Sequence, residues 1–456
     1  VAERLVVIGG DAAGMSAASQ ARRRRPPDDL EIVAFERGEF TSYSACGIPY
    51  LVSNVVGDEE DLIARHPEEF RSKYSIDVRI EHEVISIDLD KGAVRARDLK
   101  SGKEGWESFD QLMVATGGKP LKPSLEGSDA RGIFGVQTLG DGHAIRGALE
   151  DGPRRAVVVG GGYIGIEMAE AMRKRGLEVS LVELAPQPMS SLDPDMGALV
   201  ADAMRGEGIA LFTNERVTGF DVALGKITAV VTEQRHIPAD IVILGLGSRP
   251  NVDLARAAGI EVGSAGGIVV DRRMRTKSER VWSAGDCAEK FHRISRRKVA
   301  IALGTHANKE GRIAGINLGG GYETFPGVLG TAVTKVCSLE VARTGLKEAE
   351  ATDAGFDFVT ATVDSTTRAG YFPGASWIKT KMIAERLSGR LLGAQIVGHE
   401  GAAKRIDVVA TALWNEMTVQ DVLNMDLSYA PPFAPVWDPV LIAARKTWQR
   451  VEDSRA

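Results

Sequence analysis

The stretch Leu5-Val-Val-Ile-Gly-Gly-Asp-Ala-Ala-Gly14 decides the fold. Four apolar residues form a strand, two glycines allow a sharp turn, and small residues open a helix. The helix is predicted over 15–25, because Pro26 and Pro27 cannot continue it. A second strand over 30–35 closes on Glu36, 22 residues after Gly14. Residues 154–183 repeat the plan. A strand over 156–159 enters the turn Gly160-Gly-Gly-Tyr-Ile-Gly165, a helix over 166–175 stops at Gly176, and a strand over 178–182 closes on Glu183. Two copies in one chain are an internal duplication of a strand–helix–strand unit.

The residue types suit a dinucleotide. The first glycine permits the turn, the second lets backbone approach a pyrophosphate, and the third lets helix and strand pack closely. The helix N-terminus offers free N–H groups and a positive dipole end. The acid after the second strand accepts hydrogen bonds from a ribose diol. Gly160, Gly162, Gly165 and Glu183 complete this pattern, whereas Asp11 stands where the first copy would have its middle glycine. Glu183 is followed by Leu184 and Ala185 rather than Arg, which favours NADH and leaves NADPH open.

Elsewhere, strand-like runs close on glycines at Ala115-Thr-Gly-Gly118 and Gly245-Leu-Gly247, as expected where a chain crosses between nucleotide units. A short run, Val281-Trp-Ser-Ala-Gly-Asp286, ends in Gly-Asp. Beyond Phe325, β-rich runs over 356–363, 377–383 and 390–396 with a helix over 402–414 predict a separate α+β domain. The expected division is 1–118 with 249–325, then 119–248, then 326–456. The 456 residues carry a net charge of −6, which argues against nucleic acid or an anionic membrane as partner. No apolar run reaches the roughly 18 residues of a membrane span. The chain enters a strand at once, so no signal peptide is expected. Three cysteines are too few for a disulfide framework and suggest a cytoplasmic location. The seven histidines show no metal-ligand spacing, so no metal is expected; His306 alone draws attention, because it follows the Gly-Asp segment.

Cys46 lies in Phe40-Thr-Ser-Tyr-Ser-Ala-Cys-Gly-Ile-Pro-Tyr50, about ten residues past Glu36 and without a neighbouring cysteine. A short helix predicted over 47–52 would lower the thiol's pKa through its N-terminus and favour the nucleophilic thiolate. Cys287 and Cys337 are expected to be small packing residues.

These motifs, with Ser42-x-x-x-Cys46-Gly-x-Pro-Tyr50, Ala284-Gly-Asp286, Arg368-Ala-Gly-Tyr-Phe-Pro-Gly374 and Tyr429-Ala-Pro-Pro-Phe433, span nearly the whole chain. Together they resemble the single-cysteine branch of the pyridine nucleotide-disulfide oxidoreductase family, nearest its coenzyme A disulfide reductase subgroup and related to NADH oxidase and peroxidase. The resemblance implies an α/β fold. Two Rossmann-like domains, arranged as in glutathione reductase, are joined by a C-terminal α+β dimerisation domain. It implies FAD on Gly9, Asp11, Ala12, Ala13, Gly14, Glu36, Arg37, Ser42, Ala115, Thr116, Gly117 and Asp286. It implies NAD(P)H on Gly160, Gly162, Tyr163, Ile164, Gly165, Glu167, Glu183 and Gly247. Tyr163 would shield the flavin until nicotinamide arrives, and Glu167 would face the carboxamide.

Electrons would run from NAD(P)H through FAD and Cys46 to a coenzyme A disulfide or persulfide. In a homodimer, Tyr371 and Tyr429 would reach Cys46 of the partner subunit and protonate the departing thiolate. Read from the residues alone, the basic run Arg22–Arg25 suits a solvated helix C-terminus. The alternative is a clamp for the coenzyme A phosphates by Arg23, assisted by Arg71 or Lys73 and joined by Gln20, for which guanidinium forks are suited. Two positions depart from the pattern. Ala45 replaces the subgroup's usual Asn. Ala12 stands where oxidase and peroxidase members carry a histidine, which counts against the alternative activity, reduction of oxygen by NADH. Persulfide reductases of the family often carry a further rhodanese domain, and none is expected after the last recognisable segment.

Overall fold

The computed structural model describes residues 2–456. The opening stretch builds a parallel sheet in the order Val281–Ser283, Gln111–Val114, Glu3–Ile8, Leu30–Phe35, Ile76–Arg79. The repeat builds a second, in the order Ile133–Gly135, Ile241–Leu244, Arg155–Val159, Glu178–Val182, Ala210–Phe212. The two sheets correspond strand for strand. Leu5, Val6 and Val7 are fully buried, as are Val158 and Leu181, so both faces are covered and the strands are apolar without alternation. Helices cover one face, and residues of an antiparallel sheet such as Val94 or Val230 pack on the other. Each unit also carries a three-stranded antiparallel sheet, over 82–108 and 217–238.

Both helices begin three residues earlier than predicted, at Ala12–Arg22 and Tyr163–Lys174. Their first turns close directly on the glycine-rich loops, with Met15 N–H donating to the Asp11 carbonyl and Ile166 N–H to the Gly162 carbonyl. The first helix also ends earlier, because Arg24 and Arg25 both donate to the Ala21 carbonyl in a tightened last turn.

The chain crosses between the units through an antiparallel pair, Gly118–Pro120 with Ser248–Pro250. The C-terminal part is a five-stranded antiparallel sheet in the order Ala332–Val336, Leu339–Gly345, Leu391–Gly398, Trp377–Glu385, Phe358–Thr366. The helices Ile406–Trp414 and Pro439–Arg455 accompany it. Its first hairpin was not predicted. Among the described residues no helix is long and apolar enough to cross a membrane.

Close backbone approach sets both glycine turns. Gly9 and Gly160 have φ +106° and +102°, and a Cβ on either would overlap the carbonyl of Ala115 or of Gly245. A Cβ on Gly165 would overlap the Gly160 carbonyl, which cannot move without breaking the turn. Gly165→Ala is therefore expected to lower stability by about 1–3 kcal/mol. Gly147→Ala, on open helix surface, should raise it by about 0.5–1 kcal/mol. Denaturant unfolding of the two variants checks the opposite signs.

Candidate active site

In the first cradle, Glu36 holds its own loop. Oε2 accepts from Gly10 N–H and Oε1 from Gly38 N–H, both at 2.7 Å. The Thr41 hydroxyl and the Ser42 N–H both donate to the Gly10 carbonyl. Across the turn, the Thr116 hydroxyl donates to the Asn251 carbonyl at 2.6 Å, and Gly117 (φ +67°) faces open space. Ala12 and Ala13 form the first helical residues, and Gly285 packs against Ala13. Arg37 is exposed.

Asp286 is half-buried, and its Oδ1 is a buried oxygen without a hydrogen-bond partner. Burial pushes its carboxyl up. Asp11 is pushed up to about 6, by burial first and then by Glu36. An orphaned acceptor beside an uncapped helix N-terminus and an open glycine turn fits the ribityl and phosphate part of FAD.

Beneath this turn lies a buried pair. Lys290 Nζ donates to the Gly285 carbonyl at 2.8 Å and sits 3.5 Å from Glu310 Oε2, which accepts from Gly285 N–H at 2.8 Å. Glu310 is pushed up to about 7, chiefly by burial. His306, one turn away, is buried with Nδ1 unpartnered and is held neutral, at about 4, by desolvation and then Lys290. No local motif marks Lys290 or Glu310.

The second cradle repeats the first. Glu183 accepts from Gly161 N–H and from Ala185 N–H at 2.7 Å. Gly162 and Gly247 meet nothing within 4 Å of where a Cβ would stand. Gly162 and Ile164 are exposed at the mouth. This open cradle beside a ribose-type acid fits NAD(P)H. Tyr163 is half-buried, and burial raises its hydroxyl's pKa. Glu167 accepts from the Thr334 hydroxyl at 2.9 Å and is pushed up by burial and by Glu170.

Cys46 stands between the cradles. It is exposed and unpaired, in a 3-10 turn, Ala45–Gly47, that leads into the short helix Ile48–Val52. Arg175 ties this segment to the second unit through the Val52 carbonyl and Asn54 Oδ1, each at 3.1 Å. The expected lowering of the thiol's pKa is corrected. Cys46 is open by surface area, but protein packs densely enough around it that desolvation pushes the thiol up. Glu167 and Asp286 push it further. A five-residue helix that starts after the cysteine cannot offset two carboxylates. Cys287 is a buried packing thiol and Cys337 a half-buried one.

Tyr371 and Tyr429 are 78% and 46% exposed, and the neighbouring Tyr371 hydroxyl raises the Tyr429 pKa. Their loops are stapled by Arg405, which sequence reasoning missed. Its Nη2 donates to the Thr367 carbonyl at 2.7 Å and the Phe433 carbonyl at 2.9 Å, and its Nε to Asp438 at 2.9 Å. Gln20 accepts from Arg23 at 3.3 Å on one helix end. Arg71 and Lys73 lie on the helix Pro67–Tyr74, where Arg71 donates to the Val78 carbonyl and Lys73 sits 3.6 Å from Glu69. A bond from Arg22 to the Ser75 carbonyl makes the two helix ends neighbours.

Residues 3–311 match the family model for pyridine nucleotide-disulphide oxidoreductases, and residues 331–439 match that family's dimerisation domain. The chain is 40% identical over 450 residues to an NAD(P)H sulfur oxidoreductase (CoA-dependent) of Pyrococcus abyssi, covering 98% of each. It is 35% identical over 455 residues to an NADH oxidase of Methanocaldococcus jannaschii, covering 99% of this chain and 100% of the relative. The crystal structure of reduced Bacillus anthracis CoADR-RHD superposes with a TM-score of 0.96 at 32% identity, covering 99% of this chain and 81% of that one.

Glu167→Gln should move the Cys46 alkylation midpoint to lower pH, since it removes a carboxylate facing the sulfur. Iodoacetamide labelling against pH measures this; an unchanged or higher midpoint would place the electrostatic control elsewhere.

Proposed function

This chain belongs to the pyridine nucleotide-disulphide oxidoreductase family, and from that premise we propose that it reduces a coenzyme A disulfide or persulfide with NAD(P)H. It is an FAD-dependent NAD(P)H oxidoreductase. The carrying observation is Cys46, a lone sulfur facing Glu167 of one cradle and Asp286 of the other. With no second thiol beside it, Cys46 completes a disulfide only with a soluble thiol carrier.

When bound, FAD supplies the two-electron relay between nicotinamide and sulfur. The Cys46 thiolate attacks one sulfur of the disulfide, forming a mixed disulfide and expelling the other half as thiolate. Two electrons and a proton then cleave that bond, releasing the second thiol and restoring the Cys46 thiolate. Over a cycle, one NAD(P)H and one proton convert one disulfide to two thiols.

Tyr371 and Tyr429 donate the proton to the departing sulfur at Cys46 of the partner subunit. Their exposure on a chain that carries the family's dimerisation domain supports this. Arg405 is a positioning residue for the pair. Gln20 and Arg23, with Arg71 and Lys73 on the neighbouring helix, bind the phosphates of the carrier. The residues expected to hold FAD and NAD(P)H keep those roles, supported by the orphaned Asp286 oxygen and the open Gly162. The division into 1–118 with 249–325, 119–248 and 326–456 is supported by the strand pair at 118–120 and 248–250. A cytoplasmic homodimer preferring NADH completes the reading.

Reduction of oxygen is the second reading, favoured by the oxidase name of the M. jannaschii relative and opposed by Ala12. Cys46→Ser should abolish coenzyme A disulfide reduction, a loss of at least 1,000-fold, while NADH still bleaches the flavin. Stopped-flow absorbance and thiol release, run beside oxygen consumption, separate the possibilities. Full disulfide turnover in the variant would remove the sulfur from the reaction. Oxygen uptake outpacing thiol release in the wild type would favour the second reading.

A further inference from the structure

A buried polar network joins the loop after Glu183 to the C-terminal sheet. Arg343, Gln395, Lys381 and Thr362 lie directly opposite one another on four adjacent strands, as one cross-strand row. Every member of the row touches the stretch 191–195. Arg343 Nη1 donates to the Ser191 carbonyl at 2.6 Å. Gln395 holds Asp193 twice: Oε1 accepts from its N–H at 2.7 Å, and Nε2 donates to Oδ2 at 2.6 Å. Lys381 Nζ lies 3.3 Å from Asp193 Oδ2, 2.8 Å from Asp195 and 2.7 Å from Glu348. Thr362 donates to Asp195 at 3.4 Å. Just past the end of the Leu339–Gly345 strand, Lys347 Nζ donates to the Ser190 carbonyl, and Glu348 N–H donates to Asp193 Oδ1 at 3.0 Å.

Asp193 is 2% exposed, Gln395 1% and Lys381 4%. A buried carboxylate that loses one partner is strongly penalised, so this row fixes the loop in place.

The same loop forms a wall of the second cradle. Met189, strained at φ +52°, donates its N–H to the Gly161 carbonyl at 2.7 Å, and Pro188 packs against Gly161. Gly161 N–H in turn donates to Glu183. Ser191 and Arg343 both face the Tyr163 hydroxyl, although Ser191 Oγ has no partner at full hydrogen-bond geometry. The loop is therefore held from one side by the C-terminal sheet, and on the other it carries the backbone beside the acid and the tyrosine of the cradle.

We propose that Gln395 and Lys381 are positioning residues for the nicotinamide dinucleotide, so that its affinity is set by the C-terminal sheet through the 188–195 loop. This rests on the reading of the Gly160 cradle as the NAD(P)H site. Gln395→Leu removes both bonds to Asp193 and leaves the Lys381 charge in place.

The test titrates NAD⁺ into the flavin-loaded dimer by calorimetry and by the flavin difference spectrum, beside steady-state kinetics. In Gln395→Leu the Kd for NAD⁺ should rise about tenfold and the NADH KM in step. The kcat, flavin content and dimer mass should stay within twofold. Lys381→Met should act in the same direction, and Lys381→Arg should recover most of the affinity. If Gln395→Leu does not fold, Glu348→Gln, at the rim of the network, should give a rise of about threefold.

A Kd within twofold of wild type in whichever of these variants folds would overturn the proposal, as would a fall in kcat with Kd unchanged. Gly162→Val, which fills the open turn, separates the two levels. Normal NAD⁺ binding in that variant would bring down the cradle assignment and this inference together. Lost binding there, with normal binding in Gln395→Leu, would bring down this inference alone.

Discussion

One carboxylate bridging two peptide N–H groups shapes each glycine-rich cradle. Glu36 ties Gly10 to Gly38, and Glu183 ties Gly161 to Ala185. Each acid pins the glycine-rich turn to the end of the next strand, and so fixes where the helix begins. The rest follows from that pin. The bare α-carbons of Gly9 and Gly160 can then lie against the carbonyls of Ala115 and Gly245, and parallel sheets of the same strand order grow on either side. The duplication thus persists to the level of single hydrogen bonds. Within the turn itself the copies differ: Asp11 occupies the position that is open at Gly162, and there burial and Glu36 make its ionisation harder.

That geometry also explains the setting of Cys46. The sulfur faces a carboxylate from each cradle, Glu167 and Asp286, and both disfavour the thiolate. They lower the fraction of the sulfur present as thiolate at a given pH.

Local signals were legible. Gly9, Gly14 and Glu36, and Gly160, Gly162, Gly165 and Glu183, announced themselves by spacing, because each acts within some thirty residues of chain. The spacing of Cys46 from Glu36 was equally plain. Its pKa was not, since Glu167 and Asp286 reach it only through the fold. The helices started early because residues after a glycine turn enter the helix at once, a boundary that periodicity marks weakly. The hairpin over 332–345 was missed because Thr334, Lys335, Glu340 and Arg343 interrupt its apolar pattern. Three of these four make polar contacts with other parts of the chain: Thr334 with Glu167, Glu340 with Ala403 and Arg343 with Ser191. Arg405, Gln395 and Lys381 carry no motif at all. Their partners are far away in sequence, and only the assembled sheet brings them together.

The C-terminal sheet works at both of its ends. Mid-strand, Lys381 and Gln395 grip the loop beside the second cradle. At the start of the Lys381 strand, Ser376 accepts the Thr367 N–H and leads back into the loop that carries Tyr371, which Arg405 joins to the loop of Tyr429. One antiparallel sheet therefore connects the wall of the Gly160 cradle to the tyrosine pair. Its central strands, Trp377–Glu385 and Leu391–Gly398, are largely buried and paired on both sides, so a displacement at one end cannot be absorbed by local slack. A dimer formed through this domain would bring each tyrosine pair toward the other subunit while the same sheet holds the 188–195 loop in place, the first through Arg405 and the second through Gln395 and Lys381.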